Sequence, residues 1–365
     1  MSDPLLERYA ALLVGYCTGV ASGDKVLLNV DTGASALARC LVRAVLSAGG
    51  EPFLRLAYPE LSSDIVSLSS PDLLASPAKL QLEEMKAIDA FIRVQASDNA
   101  RSLAGADQQR LSAIERRLAP VQRWRVEHTR WVGTLFPTGA AAQEAGMSSD
   151  DFARFVFGSM FLFDADPAAR WRELGARQQR LVERLATARE FHLEGPGTDL
   201  QLSVAGRTWL NSDGKHNMPS GEVFTGPIED SADGHVTFRV PSHVRGSQVQ
   251  GVRLRFEAGE VVEASAERGQ ELLDAQLATD AGAKRLGEIG IGTNPNITAP
   301  IGQTLFDEKI LGTVHLALGR SYVESGGVND SAIHWDLVCD LRTEGSVRVD
   351  GEPFLAGGRL LWLEE

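Results

Sequence analysis

The chain has 365 residues, enough for two domains, since a single domain usually has about 100–200 residues. Hydrophobic residues make up 43% and charged residues 23%, which excludes a disordered, collagen-like or low-complexity chain. With 36 basic and 49 acidic residues the net charge is −13, which opposes binding to nucleic acids and to anionic membrane surfaces. We therefore expect no nucleic acid and no membrane among the partners.

The cysteines and the first residues indicate a reducing compartment. Cys17, Cys40 and Cys339 are too few for a disulfide framework, and none of them forms a CxxC pair. Asp3 and Glu7 precede the first apolar run, so no pattern of a signal peptide is visible, and no run of about 18 apolar residues predicts a membrane span. We expect a cytoplasmic protein.

The first half alternates between helix-like and strand-like segments. Apolar residues at a spacing of three to four predict a helix over residues 4–17, and the run KVLLNV predicts a buried strand over 25–30. Asp31 and Thr32 are candidate caps of a second helix that ends at Gly49 and Gly50. Three further segments have the strand signature: 52–59, 90–96 and 130–138. This half therefore predicts an α/β domain with a mostly parallel sheet.

A long charged helix over residues 165–190, opened by Asp166 and Pro167, is the expected connector. After it the pattern changes to alternating strands, with Ala258 and Gly259 as a hairpin turn. We place the domain boundary near residue 188. The expected domains are an α/β domain over 1–188 and an α+β domain over 189–365 that carries a metal site.

Familiar catalytic motifs are absent, since the turn after the first strand contains no phosphate loop and the chain contains neither GxSxG nor HExxH. One strand-like run, however, contains His334 and Asp336, two residues apart. Side chains two apart on a strand point to the same face, where an imidazole and a carboxylate can bind one metal ion. The alternative at this point is a simple salt bridge between the two.

Other polar residues occur in apolar surroundings. His315 lies in GTVHLALG, where a neutral core histidine is the alternative, and Glu288 lies between glycines and isoleucines. Glu222 is expected in a turn near Pro219 and Pro227 that would hold its carboxylate rigidly. Glu308 has the weaker case, because an acid at a loop or helix start is usually solvated or capping. This many acids require compensating positive charge, which a pair of divalent ions would supply.

Five blocks of the chain, in the same order, are similar to the metallopeptidase family of aminopeptidases T and S and PepS. They are GPGTDL (195–200), NSDGKHNMPSGEVFTGP (211–227), LGEIGIGTNPNI (286–297), TLFDEKILGTVHLALGRSY (304–322) and AIHWDL (332–337). The resemblance is close over residues 190–345. In the first half it is limited to the general α/β pattern and size.

The resemblance implies a metal-dependent aminopeptidase that removes residues from peptides with a free N-terminus. It implies a homodimer and a centre of two divalent ions, with Zn, Co, Mn and Mg all compatible with the donors. Tyr322 resembles a tyrosine beside the cluster, and Glu288 is the expected bridge between the ions or a proton shuttle. The residues that resemble the metal ligands are Glu222, Glu288, Glu308, His315, His334 and Asp336.

Two other functions remain open at this point. A dioxygenase that opens dihydroxypyridine rings is similar in its C-terminal half, but resembles a mononuclear iron site of two histidines and one carboxylate, with a histidine where Glu288 stands here. A non-catalytic relative without metals is the second alternative. The complete set of expected ligands favours the peptidase over both.

Overall fold

The structure is a computed structural model that describes residues 3–99, 101–103, 105–244 and 247–364. Its strands are β1 (Lys25–Asp31), β2 (Glu51–Ala57), β3 (Ala90–Gln95), β4 (Arg130–Leu135), β5 (Glu190–Gly195), β6 (Thr198–Ser203), β7 (Leu210–Ser212), β8 (Asn217–Met218), β9 (Glu222–Thr225), β10 (Asp233–Phe238), β11 (Ser242–Val244), β12 (Ser247–Val249), β13 (Val252–Glu257), β14 (Glu260–Ser265), β15 (Leu286–Gly292), β16 (Val314–Gly319), β17 (His334–Cys339), β18 (Ser346–Val349), β19 (Glu352–Ala356) and β20 (Arg359–Leu360). Its α-helices are α1 (Pro4–Ala11), α2 (Ser35–Ser47), α3 (Leu61–Leu68), α4 (Pro71–Ala75), α5 (Lys79–Lys86), α6 (Gln108–His128), α7 (Gly139–Glu144), α8 (Ser149–Ser159), α9 (Pro167–Leu185), α10 (Gln270–Leu277), α11 (Thr304–Asp307) and α12 (Leu361–Glu364).

The contacts of the chain divide it into two compact units. One contains the residues up to Arg170 together with Gly214–Pro219, and the other contains Trp171–Asp213 and the residues from Ser220 onward. The change of unit thus falls within α9, and a short later segment returns to the first unit. The division into domains 1–188 and 189–365 stays a prediction.

The first unit contains a parallel five-stranded sheet in the order β2-β1-β3-β4-β8. Its central strands are apolar and buried, as in β3, where Ile92 and Val94 have no exposed surface. This is the composition expected of parallel strands that are covered on both faces. The four strands predicted from the sequence of this half all form, and β8 adds a short fifth strand opposite Gly133 and Thr134.

Two local details of this unit differ from the prediction. The first helix is α-helical only over α1 and continues as a π-helix over Leu12–Cys17. The Asp31 carboxylate does not cap α2: it accepts a hydrogen bond from the Ala96 amide at 2.8 Å and pairs with Arg93 at 2.6 Å. A tertiary partner thus takes the side chain that the local sequence assigns to a cap.

The second unit contains two antiparallel sheets and a two-stranded ribbon, β11 with β12. The larger sheet has eight strands in the order β14-β13-β10-β6-β5-β18-β19-β20, and the smaller has five in the order β17-β16-β15-β9-β7. Ala258 and Gly259 form the predicted turn between β13 and β14, with φ of 46° and 77°. Positive φ at both positions is typical of the tight turns that match the twist of a hairpin.

One hydrophobic cluster joins these two sheets. Phe191 and Leu200 come from the larger sheet, Ile289 and Leu316 from the smaller, and all four have no exposed surface. The predicted fold class, a parallel α/β region followed by an α+β region, is therefore confirmed. Among the described residues no helix is both long and apolar enough to cross a membrane.

Candidate metal centre

The smaller sheet of the second unit has one apolar and one polar face. Ile289 on β15, Leu316 on β16 and Leu337 on β17 point into the hydrophobic cluster and are at most 1% exposed. Because side chains alternate along a strand, their neighbours in sequence point to the opposite face. The residues that alternate with the apolar ones are Glu222, Glu288, His315, His334 and Asp336.

The register of the strands brings these side chains together. Glu288 lies opposite Ala317, which lies opposite Asp336, so that the two carboxylates flank a small residue in one row across the sheet. His315 lies opposite Gly290. A Cβ atom at Gly290 would lie 2.0 Å from the Nε2 atom of His315, so the imidazole occupies space that only a glycine leaves open.

The polar side chains form two groups that share Glu288. In the first, His315 Nε2 lies 3.1 Å from Glu288 Oε1 and 3.4 Å from Glu222 Oε2. In the second, His334 Nε2 lies 3.7 Å from Glu288 Oε2 and 3.4 Å from Asp336 Oδ1. Within each group the candidate ligand atoms lie within 4.8 Å of one another. Glu288 thus turns one carboxylate oxygen toward each group.

Glu222 differs from its prediction in one respect. It does not lie in a turn but is the first residue of β9, after Gly221 at φ 114°. A Cβ atom at Gly221 would lie 2.8 Å from the Cβ of Asn294, so both the φ and the close approach require glycine here. The side-chain amide of Gln178 donates to the Glu222 carbonyl at 2.7 Å, which fixes the backbone of the first residue of the strand.

Together the two groups form the candidate metal centre, and its carboxylate oxygens without hydrogen-bond partners fit a bound cation. Glu222 Oε2 and Asp336 Oδ1 are buried, and neither has a hydrogen-bond partner among the described residues. Buried carboxylate oxygens without donors are costly unless a cation is bound to them. Imidazole and carboxylate donors are also the ones that Zn²⁺, Co²⁺ and Mn²⁺ accept, so these residues fit a metal ion.

His334 is oriented from behind by the backbone. Its Nδ1 atom lies 2.8 Å from the carbonyl oxygen of Arg320, and a carbonyl can only accept a hydrogen bond. Nδ1 therefore carries the proton, and in the neutral ring the lone pair is on Nε2, the atom that faces Glu288 and Asp336. Metal-binding histidines are held in this way.

Glu308 lies near the two groups but belongs to neither. It directly follows α11, and its Oε1 accepts a short hydrogen bond from the ammonium of Lys309. The same ammonium lies 3.3 Å from Glu222 Oε1, and the Lys309 side chain has no exposed surface. Our sequence reasoning did not identify Lys309. The available signal was a lysine directly after an acid that was itself a candidate ligand, in the segment FDEKILG.

Tyr322 lies beside the centre on the loop that follows β16. Its ring contacts the His334 ring edge-on at a centroid distance of 5.4 Å and lies 5.4 Å from the ring of Phe224. The Ser325 hydroxyl donates to the Tyr322 carbonyl at 2.6 Å, which fixes the turn. Tyr322 remains 46% exposed, so it contacts the candidate centre from the side that faces solvent.

Comparison with known proteins identifies the family. The model of the thermophilic metalloprotease family M29 matches residues 2–354. This chain belongs to that family. The resemblance seen in the sequence blocks is confirmed, and the chain is a metal-dependent peptide hydrolase.

Individual relatives agree with this membership. Aminopeptidase 2 of Geobacillus stearothermophilus is 29% identical over 97% of both chains, and aminopeptidase T of Thermus thermophilus is 29% identical over 91% of both. The solved structure of AmpT from T. thermophilus superposes with a TM-score of 0.84 at 27% identity and covers 98% of this chain and 99% of that one. The 2,5-dihydroxypyridine dioxygenase of Pseudomonas putida KT2440 has a TM-score of 0.58 at 15% identity, covering 98% and 97% of the two chains, which is a likeness of fold alone.

The carboxylates of the candidate centre hold protons on its histidines. Burial alone would lower the pKa of His315, but its hydrogen bond to Glu288 and the charge of Glu222 raise it to about 9. Burial likewise lowers the pKa of His334, while Asp336 raises it to about 10. Without a metal ion both imidazoles therefore bind protons more tightly than in an unfolded chain.

The acids are shifted in both directions. Burial raises the pKa of Glu308 to about 8, against the opposing charge of Lys309. Burial also acts to raise the pKa of Asp336, but the positive charge of His334 holds it well below its usual range. The two histidines and Glu308 are therefore among the groups that keep a proton in the folded chain above neutral pH, where the unfolded chain has lost it.

These shifts predict that the protein without bound metal loses stability as the pH rises. His315, His334 and Glu308 have folded pKa values above their unfolded values, so the folded chain binds more protons and its free energy of unfolding falls between about pH 7 and pH 10. Thermal melts in excess EDTA should show a melting temperature that falls steadily over this range. Melts with saturating Zn²⁺ are the control, because a bound ion displaces these protons and should reverse or flatten the slope. A melting temperature in EDTA that rises with pH would contradict the assignment.

Proposed function

We propose that this metallopeptidase is an aminopeptidase whose centre binds two divalent ions. The observation that carries the proposal is the position of Glu288, which directs one oxygen to Glu222 and His315 and the other to His334 and Asp336. A carboxylate that offers its two oxygens to two ligand groups is suited to bridge a pair of ions. The relatives of the chain named above are aminopeptidases, which supports the same activity.

Two bound ions would lower the pKa of a water molecule, so that it could act as the nucleophile at neutral pH. They would also polarise the scissile carbonyl. In this chain the first ion would be held by Glu222, Glu288 and His315, and the second by Glu288, His334 and Asp336. Glu308 remains the sixth proposed ligand, through the oxygen that Lys309 does not bind. Zn, Co, Mn and Mg remain candidates.

The protein's own groups would complete the reaction. Of the two roles open to Glu288, the bridge is better supported, because its two oxygens face different imidazoles, Oε1 that of His315 and Oε2 that of His334. The Tyr322 hydroxyl, protonated at neutral pH, would donate a hydrogen bond to the oxygen of the carbonyl under attack. A carboxylate of the centre would bind the free α-amine of the substrate, which would restrict cleavage to the N-terminal residue.

The decisive experiment compares free and blocked substrates. The purified protein, loaded with Zn²⁺, Co²⁺ or Mn²⁺, should hydrolyse aminoacyl arylamides and short peptides, and N-acetylation of the same substrates should abolish turnover. EDTA should remove the activity, and metal analysis should find two ions per chain. Equal rates on free and acetylated peptides would reject an aminopeptidase. One iron per chain with ring-opening of dihydroxypyridines would instead support the dioxygenase.

A matched pair of variants tests whether the ligands are the ones proposed. Asp336→Asn should lose one ion and at least about a hundredfold in kcat/KM, since a neutral amide is a poor ligand. Asp199→Asn changes a carboxylate on the larger sheet whose side chain is 64% exposed, and should behave as the wild type. Two ions and full activity in Asp336→Asn would remove Asp336 from the centre.

Tyr322→Phe should lower kcat by about 10²–10³ with both ions retained and KM nearly unchanged, because the hydrogen bond is strong only when the carbonyl oxygen becomes charged. Steady-state kinetics and metal analysis on the same sample separate the outcomes. Tyr58→Phe is the control, since Tyr58 is a surface tyrosine of similar exposure, 47%. Loss of an ion would make Tyr322 a ligand, and an unchanged kcat would leave it a packing residue.

We further propose a homodimer located in the cytoplasm. Support for a second copy comes from β2, which ends the sheet of the first unit and pairs only with β1 among the described strands. Phe53, Leu54 and Leu56 on this strand are 43–49% exposed, and an open edge with apolar side chains is suited to be covered by a partner.

The dimer proposal predicts that sedimentation equilibrium gives twice the mass of one chain. The double variant Leu54→Lys/Leu56→Lys should shift this equilibrium to the monomer by placing charges on the strand edge. Leu80→Lys, at a leucine of α5 that is 82% exposed, is the control and should remain a dimer. A wild-type chain that sediments as a monomer at all concentrations would exclude the dimer.

A further inference from the structure

Lys309 is a buried cation within the centre. Its side chain has no exposed surface, although lysine is almost never fully buried unless it is paired. Lys309 is paired: its ammonium binds Oε1 of Glu308 and lies 3.3 Å from Oε1 of Glu222. Two carboxylates of the centre therefore share one fixed positive charge.

The backbone around Lys309 is held on both sides. Its amide donates to the Phe306 carbonyl at 2.9 Å, and its carbonyl accepts from the Asn294 amide at 3.0 Å. The preceding Asp307 carboxylate accepts from the amides of Ile301 and Gly302 at 2.7 and 2.9 Å, which ties down the loop before α11. The ammonium is therefore presented by a fixed segment of backbone.

The two oxygens of the Glu222 carboxylate face different cationic side chains, those of Lys309 and His315. Oε1 faces the ammonium, while Oε2 faces His315 at 3.4 Å and has no hydrogen-bond partner among the described residues. Within the part of the chain that the structure describes, the ion pairs of Lys309 are with Glu222 and Glu308 and not with Glu288. The two ligand groups are thus not equivalent, because the ammonium of Lys309 pairs with Glu222, which belongs to the first group alone.

We propose that Lys309 is a built-in third cation of the metal centre: it stabilises Glu222 and Glu308 before metal binds, and it makes the ion at Glu222, Glu288 and His315 the more weakly bound of the two. This inference rests on the proposed two-ion function. Lys309 is a positioning residue, since it acts through Glu222 and touches no reacting atom.

Two effects of removing Lys309 oppose each other. Loss of a residue that orients a ligand typically weakens metal binding by about 10–100-fold. Loss of a like charge a few ångströms from a divalent ion strengthens binding by more than about a hundredfold, even at an effective dielectric constant of about 20. The charge effect is the larger, so the weaker ion should bind more tightly without Lys309.

The experiment is a titration of the metal-depleted full chain with Zn²⁺ against a competing chelator, together with thermal melts in excess EDTA. The wild type should bind two ions with dissociation constants at least about tenfold apart. Lys309→Met should strengthen the weaker step at least about tenfold and bring the two constants together. It should also lower the melting temperature in EDTA by about 5 °C or more, because Glu222 and Glu308 lose their cation.

Controls separate this inference from the proposed function. Lys284→Met removes an exposed lysine of the same unit and should match the wild type in both measurements. If Lys309→Met does not fold even with Zn²⁺, Lys309→Gln, which keeps a hydrogen-bond donor without the charge, is measured with the same expectations. A wild type that binds no Zn²⁺ would reject the two-ion function. A wild type that binds two ions, with unchanged constants and melting temperature in the variant, would reject the role of Lys309 alone.

Discussion

Carboxylates held close together and away from water require positive charge, and this requirement explains the polar face of the smaller sheet in the second unit. Glu222 and Glu288 are 6% and 5% exposed, and Asp336 lies beside them on the same face of the sheet. Their mutual repulsion is weakly screened at this depth. Lys309 and the protonated imidazoles of His315 and His334 supply compensating charge, and the oxygens that still lack donors are where an ion would bind.

The fold meets this requirement by placing the polar side chains on strands. One face of the smaller sheet is anchored in a continuous apolar cluster, so the backbone beneath the proposed ligands is fixed by packing. On the polar face small residues separate the larger ones: Ala317 between Glu288 and Asp336, and Gly290 beneath His315. The small residues leave room above the sheet, and the strands set the distances between the proposed ligands. Tyr322, in contrast, comes from a loop, where a donor can approach a substrate from the open side.

Much of this arrangement could be predicted because it depends on short-range periodicity. The spacing of His334 and Asp336 required a shared face, and the structure has them 3.4 Å apart on β17. Trp335, between them, points into the core and is 5% exposed, as the same alternation requires. The buried strands of the parallel sheet were equally visible, since runs such as KVLLNV have no other stable location than the interior of a sheet.

What could not be predicted depends on partners distant in sequence. Asp31 had the sequence of a helix cap, but Arg93 and the Ala96 amide lie within reach only after the sheet forms. Glu222 had the sequence of a turn between prolines, but it pairs in register with Gly292, which lies on β15 and is far away in the sequence.

Lys309 is the instructive case. Lys309 directly follows Glu308, and two adjacent residues of opposite charge usually form a solvent-exposed ion pair. Only the tertiary structure buries the pair beside Glu222 and turns it into part of the centre. An acid that is surrounded by apolar residues stands out in a sequence. When a lysine follows the acid and compensates its charge, the segment has the composition of an ordinary surface loop. When an acid near predicted ligands is followed by a lysine, both residues are therefore candidates for the site, because a buried acid draws its charged partner into the interior with it.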